Sequence, residues 1–171
     1  WRVHGDQAAA AASEKLYQRI AAARRSPQWE VKALIKLSAL YYDLSFMKEY
    51  ERVGELALAT AEGNATRIPP LILADANYCM GLTQMDLGRD DLALPLIERA
   101  VSLARGISTV PFGRLPTYFS GQGGALRGLG RNREAEESYR QGIAVAEQDT
   151  SLEGASMRAT LLGNWAILIQ A

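Results

Sequence analysis

The side chains able to do chemistry are few in this chain of 171 residues: one histidine, His4, and one cysteine, Cys79. A zinc centre needs several nitrogen or sulfur ligands. A nucleophile needs a base within hydrogen-bond reach. Neither a His/Cys metal site nor a Ser-His-Asp or Cys-His set can be assembled without His4, which lies near a terminus. Cys79 reads as a small packed residue or as part of a groove wall. The stretch Gly121-Gln-Gly123-Gly124-Ala-Leu-Arg-Gly128 has the glycine density of a phosphate-binding loop. That chemistry requires the glycines to sit between a strand and a helix, and the pattern around them is helical. They read instead as places where a neighbouring helix comes close, each losing about 1 kcal/mol of helix propensity against alanine. Arg24-Arg25 and Arg131-Asn-Arg133 are short basic runs, the second offset by Glu134, Glu136 and Glu137. They read as solvated helix ends rather than a nucleic-acid footprint. Tyr139 and Trp165 fall at interior positions of the pattern described below, whereas Trp29 and Phe119 are less constrained. These residues imply no catalytic group, no metal and no cofactor, and the chain reads as a non-enzyme.

Composition points the same way. Nineteen basic and nineteen acidic residues cancel, so no net field draws the chain to nucleic acid or to an anionic membrane. No apolar run reaches membrane-spanning length, and no basic-then-apolar leader opens the chain. A lone cysteine cannot close an internal disulfide, which fits a reducing, cytoplasmic compartment. Arginine outnumbers lysine and alanine is abundant, as in proteins of GC-rich bacteria. Opening on Trp1 suggests a piece of a longer or processed chain.

The elements that must position these residues announce themselves as a repeat. Tyr78 to Ala104 reads as helix, tight turn at Leu87-Gly88-Arg89, and helix; Ser120 to Ala146 repeats it. Gly81 matches Gly123, Gly88 matches Gly130, Ala93 matches Ala135, Ala100 matches Gly142 and Ala104 matches Ala146, every pair 42 positions apart. A fixed period in this range signals a stacked array. Small residues (Gly81 with Ala93, Gly123 with Ala135) sit where two antiparallel helices cross, and Met80, Ile97 and Tyr139 fill beside them. Gly88 and Gly130 end the first helices in the left-handed conformation. Asp90 and Asn132 are expected as N-caps of the second helices.

This succession of small residue, glycine turn, small residue, filler and small residue resembles the tetratricopeptide repeat. The long period and the segment Ala159-Thr160-Leu-Leu-Gly-Asn164-Trp-Ala166-Ile-Leu168 resemble its kinesin-light-chain type. The resemblance implies an all-α fold: eight helices in antiparallel pairs, stacked as a right-handed superhelix. Within it, residues 6–25 form a leading helix, 27–62 a degenerate repeat, 69–106 and 114–148 two clear repeats, and 151–171 the first helix of a truncated one.

Local signals fill in the rest. Leu16, Ile20 and Ala23 give the leading helix one apolar stripe. Ser26-Pro27 reads as an N-cap followed by proline at the first helical position. In the degenerate repeat Val53 lies 40 before Ala93, which puts Tyr41 where the later repeats have glycine. This predicts either a wider crossing or an insertion near residues 39–46. Pro69-Pro70 opens the next helix, a loop spans residues 106–116, and Thr150-Ser-Leu-Glu153 reads as a capping box. The last helix carries Leu161, Leu162, Trp165, Ile167 and Leu168 with nothing to cover it. That predicts further chain beyond Ala171, or ends left open to self-association.

In such arrays the resemblance places the functional surface on the concave face, lined by the first helix of each pair. Tyr78, Leu82 and Met85 share one helix face. The period carries that face to Ser120, Gly124 and Arg127, then to Gly163, Ile167 and Gln170, and back by 40 to Ser38, Tyr42 and Ser45. Asn164 stands where the family carries a groove asparagine, though Cys79 and Gly121 occupy the equivalent positions. The family's Lys/Asn/Arg carboxylate clamp is not visible. The expected partner-binding set is therefore Tyr42, Tyr78, Leu82, Met85, Ser120, Gly124, Arg127, Asn164 and Ile167. The expected ligand is a protein or peptide segment, not nucleic acid or membrane. An alternative reading makes the chain a sensory or regulatory segment of a larger bacterial signalling protein, such as a diguanylate cyclase or a transcriptional regulator. One expectation is testable at once: Gly81→Leu overpacks a helix crossing and should cost about 1–3 kcal/mol. A thermal melt matching the parent's would remove Gly81 from the crossing.

Overall fold

The computed structural model describes residues 8, 10–19, 26–107 and 113–169. His4, Asp6, Ile20, Ala23, Arg24, Arg25, Gln170 and residues 108–112 lie outside that set. Residues 10–19 are helical (α1). They are followed by α2 (Pro27–Asp43), α3 (Met47–Gly63), α4 (Pro70–Asp86), α5 (Asp90–Arg105), α6 (Arg114–Gly128), α7 (Asn132–Ala146) and α8 (Leu152–Ile169). Among the described residues there is no strand, and the fold is an all-α solenoid. Helices α2 and α3, α4 and α5, and α6 and α7 form antiparallel pairs, and each pair stacks on the next. The glycine-rich stretch lies inside α6, which removes the phosphate-loop alternative.

Three turns of one kind set the pairs. At the end of α4 the Gly88 N–H bonds to the Met85 carbonyl and the Arg89 N–H to Gln84, both at 2.9 Å. Gly88 has φ +71°. This is the Schellman arrangement, in which a left-handed residue lets two orphaned carbonyls be satisfied. Gly130 repeats it with Arg127 and Leu126 as acceptors. Between α2 and α3 the same two bonds run from Ser45 to Tyr42 and from Phe46 to Tyr41, and Ser45 takes φ +61°. The turn of the degenerate repeat is therefore neither wider nor longer. Ser45 stands 43 positions before Gly88, so the alignment by 40 is corrected to 43. The corrected register pairs Ser38 with Gly81, Ala57 with Ala100 and Ala61 with Ala104. Ser38, Gly81 and the four alanines of these pairs are all buried.

The cap positions also shift. Arg89 and Arg131 occupy the N-cap positions of α5 and α7, with Asp90 and Asn132 as the first helical residues. At α8 the N-cap is Ser151 rather than Thr150. The Gly154 N–H bonds to Ser151 Oγ at 3.3 Å, and the Ser151 N–H to Asp149 Oδ1 at 2.9 Å. Ser26 and Pro27 fall where expected, at the N-cap and first position of α2.

The crossings are close because the glycines leave room. A Cβ on Gly81 would lie 2.5 Å from Ile97 Cγ1, and one on Gly123 would lie 2.3 Å from Tyr139 Cε1. Tyr139 and Ile97 are accordingly buried. At the front of the stack α1 lies on α2 and α3. Ala10 is buried with Leu37, Tyr41 and Val53, and Tyr41 Oη donates to Glu14 Oε2 at 2.7 Å.

Ser45 carries a cost that glycine would not. An L-residue in the left-handed region loses about 1–2 kcal/mol, and glycine returns about 0.4–1 kcal/mol of that through its freer unfolded chain. Because Ser45 is exposed, Ser45→Gly should stabilise the chain by up to about 1 kcal/mol and Ser45→Val should destabilise it. Urea unfolding of both variants checks the direction.

Candidate functional site

The inner side of the stack belongs to the first helices. Cα atoms of α2 and α4, α4 and α6, and α6 and α8 approach within 8 Å, while none of α3 comes so close to α5, nor α5 to α7. The array therefore closes toward α2, α4, α6 and α8, which line its concave face. The corrected register makes Tyr42, Met85 and Arg127 one rung of that face, and Leu82, Gly124 and Ile167 another. Tyr42 thus answers to Met85 rather than to Leu82. Ser38 is wholly buried and Ser45 lies in the turn, so both leave the groove.

Much of the expected groove is a seam between first helices. Tyr78 Oη donates to the Thr117 carbonyl at 3.1 Å. Its ring lies 4.8 Å from that of Tyr118 and covers Gly121, where a Cβ would sit 2.6 Å from Tyr78 Cε2. Burial pushes the Tyr78 phenol well above its ordinary range. Met85 Cε lies 2.8 Å from where Gly124 would carry a Cβ. Asn164 Nδ2 donates to Ser120 Oγ at 3.0 Å. Five of the nine expected residues, Tyr78, Met85, Ser120, Gly124 and Asn164, therefore meet one another's helices.

The remaining four are more open. Tyr42 is 48% exposed, its ring 5.3 Å from that of Tyr50. Ile167 is 55% exposed, Leu82 is half-buried and Arg127 is exposed. One charged group was not foreseen. Asp75, one turn before Tyr78 on the same face, accepts from Tyr118 Oη at 2.5 Å and pairs with Arg114 at 3.2 Å. Extending the stripe by three residues from Tyr78 would have found it. Burial first, and then the Asp75 charge, raise the Tyr118 phenol. Burial also raises the Cys79 thiol, the opposite of what a nucleophile needs. Among the described residues no group of three or more His, Cys, Asp and Glu could hold a metal ion. No described helix is long and apolar enough to cross a membrane.

Hollows lie on the outer side. One of about 440 Å³ opens between α3 and α5 over a floor of Met80 and Gln84. Another of about 350 Å³ opens between α5 and α7 over Gln122 and Leu126. They are the same groove one repeat apart: Glu55 answers to Glu98, Leu58 to Val101, Leu92 to Glu134 and Pro95 to Glu137. A third, of about 620 Å³, lies between α1 and α3 over Leu34 and Leu37.

No family model matches this sequence, and no curated protein matches it. Solved structures do match its fold. A putative kinesin light chain from Podosopora anserina, with nearly identical TPR-like repeats, superposes with a TM-score of 0.74 at 17% identity, covering 99% of this chain and 79% of that one. A second structure of that protein gives 0.72 and 16%, covering 99% and 80%. BtubC (BKLC) from P. vanneervenii gives 0.73 at 13%, covering 85% of this chain and 57% of its own length. The fold is thus that of tetratricopeptide-like repeats.

The seating of Tyr78 predicts a stability effect. Tyr78→Phe should lose about 1 kcal/mol with its hydrogen bond. Tyr78→Ala should lose about 2–4 kcal/mol, at or below the range for a fully buried ring. Equal melting temperatures for Tyr78→Ala and the parent would place the ring outside the seam.

Proposed function

We propose that the chain is a non-catalytic module that holds a protein or peptide segment along its concave face. The observation that supports this most is the rung Tyr42, Met85 and Arg127, which repeats one position on three successive first helices. An extended ligand lying across the array would meet an aromatic ring, a thioether and a guanidinium in turn. Met85 is the seated member. Tyr42 and Arg127 remain open at either side of it. Arg127 enters no salt bridge among the described residues, whereas Arg114 already serves Asp75. An arginine without an internal partner is the natural anchor for a ligand carboxylate, through a charge-assisted bond. Leu82 and Ile167 supply apolar contact on the adjoining rung. The solenoid neighbours named above support an interaction role through their shared architecture.

The α3–α5 hollow favours a second surface. Its walls are Leu58, Ala59, Leu92, Pro95 and Leu96, with Glu55 and Glu62 at the α3 side, and Leu92 is half exposed.

A random-peptide display selection against the intact chain tests both. On the concave reading, selected peptides carry an acidic residue or a free carboxyl terminus. Arg127→Ala then weakens them by about tenfold or more, the scale of one lost charge-assisted bond, without changing the melting temperature. Peptides that ignore Arg127→Ala but fail on Leu92→Lys assign binding to the outer groove instead.

A further inference from the structure

We propose, resting on the reading of the α3–α5 hollow as a second surface, that it takes an amphipathic partner helix whose apolar stripe is bordered by lysine or arginine. The neighbouring groove of the same molecule is the control. Leu92, Pro95 and Leu96 correspond to Glu134, Glu137 and Ser138 one repeat on, and those polar residues line the α5–α7 hollow. The frame therefore does not need leucine or proline at these places. Pro95 lies inside α5, where proline costs about 3 kcal/mol of helix propensity. Leu92 is half exposed, so much of its apolar surface still faces water. With Leu58, Ala59 and Leu96 these residues form one contiguous lining, and a contiguous apolar lining rimmed by polar groups marks an interaction surface.

Length and charge say what fits it. Two ion pairs join α3 to α5 at either end of the hollow, Glu51 with Arg89 and Glu62 with Arg99. Eleven residues of α3 separate the two glutamates, about 16 Å or three turns at the helical rise. The walls are helices, whose backbone groups are already bonded internally, so an extended segment would find no main-chain partners there. A helix brings its own hydrogen bonds and needs only apolar contact. Along the groove α3 presents Glu51, Glu55 and Glu62, and α5 presents Arg89 and Arg99. The arginines are engaged by Glu51 and Glu62. Glu55 is exposed and enters no salt bridge among the described residues. Around the α5–α7 hollow the signs mix, with Glu98, Glu134 and Glu137 beside Arg105 and Arg133. The α3–α5 groove thus keeps one uncompensated negative charge beside an apolar lining, and a cation bordering the partner's stripe complements it.

Fluorescence anisotropy on the intact chain tests this. The probe is a labelled synthetic helix of about three turns, with leucine at i, i+3, i+4 and i+7 and a lysine on each border of that stripe. Its control has glutamate in place of each lysine. The lysine probe should bind saturably, and the control about fivefold more weakly, the scale of one exposed ion pair. Glu55→Lys should reverse that order. Leu92→Gln with Leu96→Ser brings in the polarity that the α5–α7 groove already carries. It should weaken the lysine probe by about tenfold or more with an unchanged circular dichroism spectrum. Arg127→Ala, on the concave face, should leave the probe unaffected. A lysine probe that fails to bind, or an order that Glu55→Lys leaves unchanged, overturns the proposal. Display-selected peptides that still depend on Leu92 would then keep the hollow as a surface and remove only this partner. A lysine probe that tolerates the change at Leu92 and Leu96 also overturns it. So does a dimer in sedimentation velocity that Leu92→Gln abolishes, since the occupant is then a second copy.

Discussion

The stack depends on four positions of α6 that carry no side chain. Tyr78 and Met85 of α4 press on Gly121 and Gly124, Tyr139 of α7 presses on Gly123, and the Asp90 carboxylate of α5 lies against Gly128. An added Cβ would stand 2.6, 2.8, 2.3 and 2.1 Å from those groups in turn; the Met85 and Asp90 tips could swing aside, whereas the Tyr78 and Tyr139 rings fill their sites and could not. The rings of α4 and α7 thus reach their places because α6 carries no side chain at Gly121 and Gly123. Glycine in a helix interior loses about 1 kcal/mol apiece. Burial of an aromatic or aliphatic side chain contributes about 1.5–3 kcal/mol, so Tyr139 and Tyr78 together offset the loss. The glycine density that imitates a phosphate loop in the sequence is the mark of a helix surrounded on several sides.

What the sequence made legible was everything tied to a small residue. The spacing of Gly81, Gly88, Ala93, Ala100 and Ala104, and its recurrence from Gly123 to Ala146, dictates helix, turn, helix and closeness of approach, and those are what the molecule shows. The degenerate repeat was harder to align for a physical reason. Its left-handed turn residue is Ser45, which has no compositional signature, and its crossing residue is Ser38, an ordinary helix residue until its burial is seen. Matching Val53 to Ala93 preserved side-chain character and lost the register. Ala57 and Ala61, 43 positions before Ala100 and Ala104, held it. The N-caps went astray similarly: Asp90 and Asn132 have the right chemistry but stand one residue inside the helix. The chain turns at Arg89 and Arg131, and no side-chain bond caps either helix.

The candidate site was legible in position and not in depth. Periodicity places Tyr78, Met85, Ser120, Gly124 and Asn164 on the concave side, and they are there. Periodicity says nothing of how near consecutive first helices lie. At this approach, two of those side chains are taken up by the glycines of the next helix, and the Asn164–Ser120 bond closes the seam further along. The open concave surface shrinks to its edges, Tyr42 on one side and Arg127 and Ile167 on the other. The Asp75–Tyr118–Arg114 cluster straps α4 to α6 at the opposite end of the same helices. Its charge is spent internally, on Arg114 and the Tyr118 hydroxyl.

Outside, the same architecture leaves the second helices apart, and the spaces between them differ from repeat to repeat. At the crossings the first-helix residue stays small, as Ser38, Gly81 and Gly123, while the filler changes from Ile97 to Tyr139. The groove positions are free of that constraint. Where the α3–α5 hollow has Leu58, Leu92 and Pro95, the α5–α7 hollow has Val101, Glu134 and Glu137. Pro95 also differs from its counterpart Glu137 in offering no N–H to the carbonyl four residues before it. The ion pair of Glu62 with Arg99 and the bond of Arg105 to Gln141 bridge the two hollows at equivalent places. One repeat thus specifies a frame through its small residues and leaves its outward and inward rungs to distinguish what lies against them.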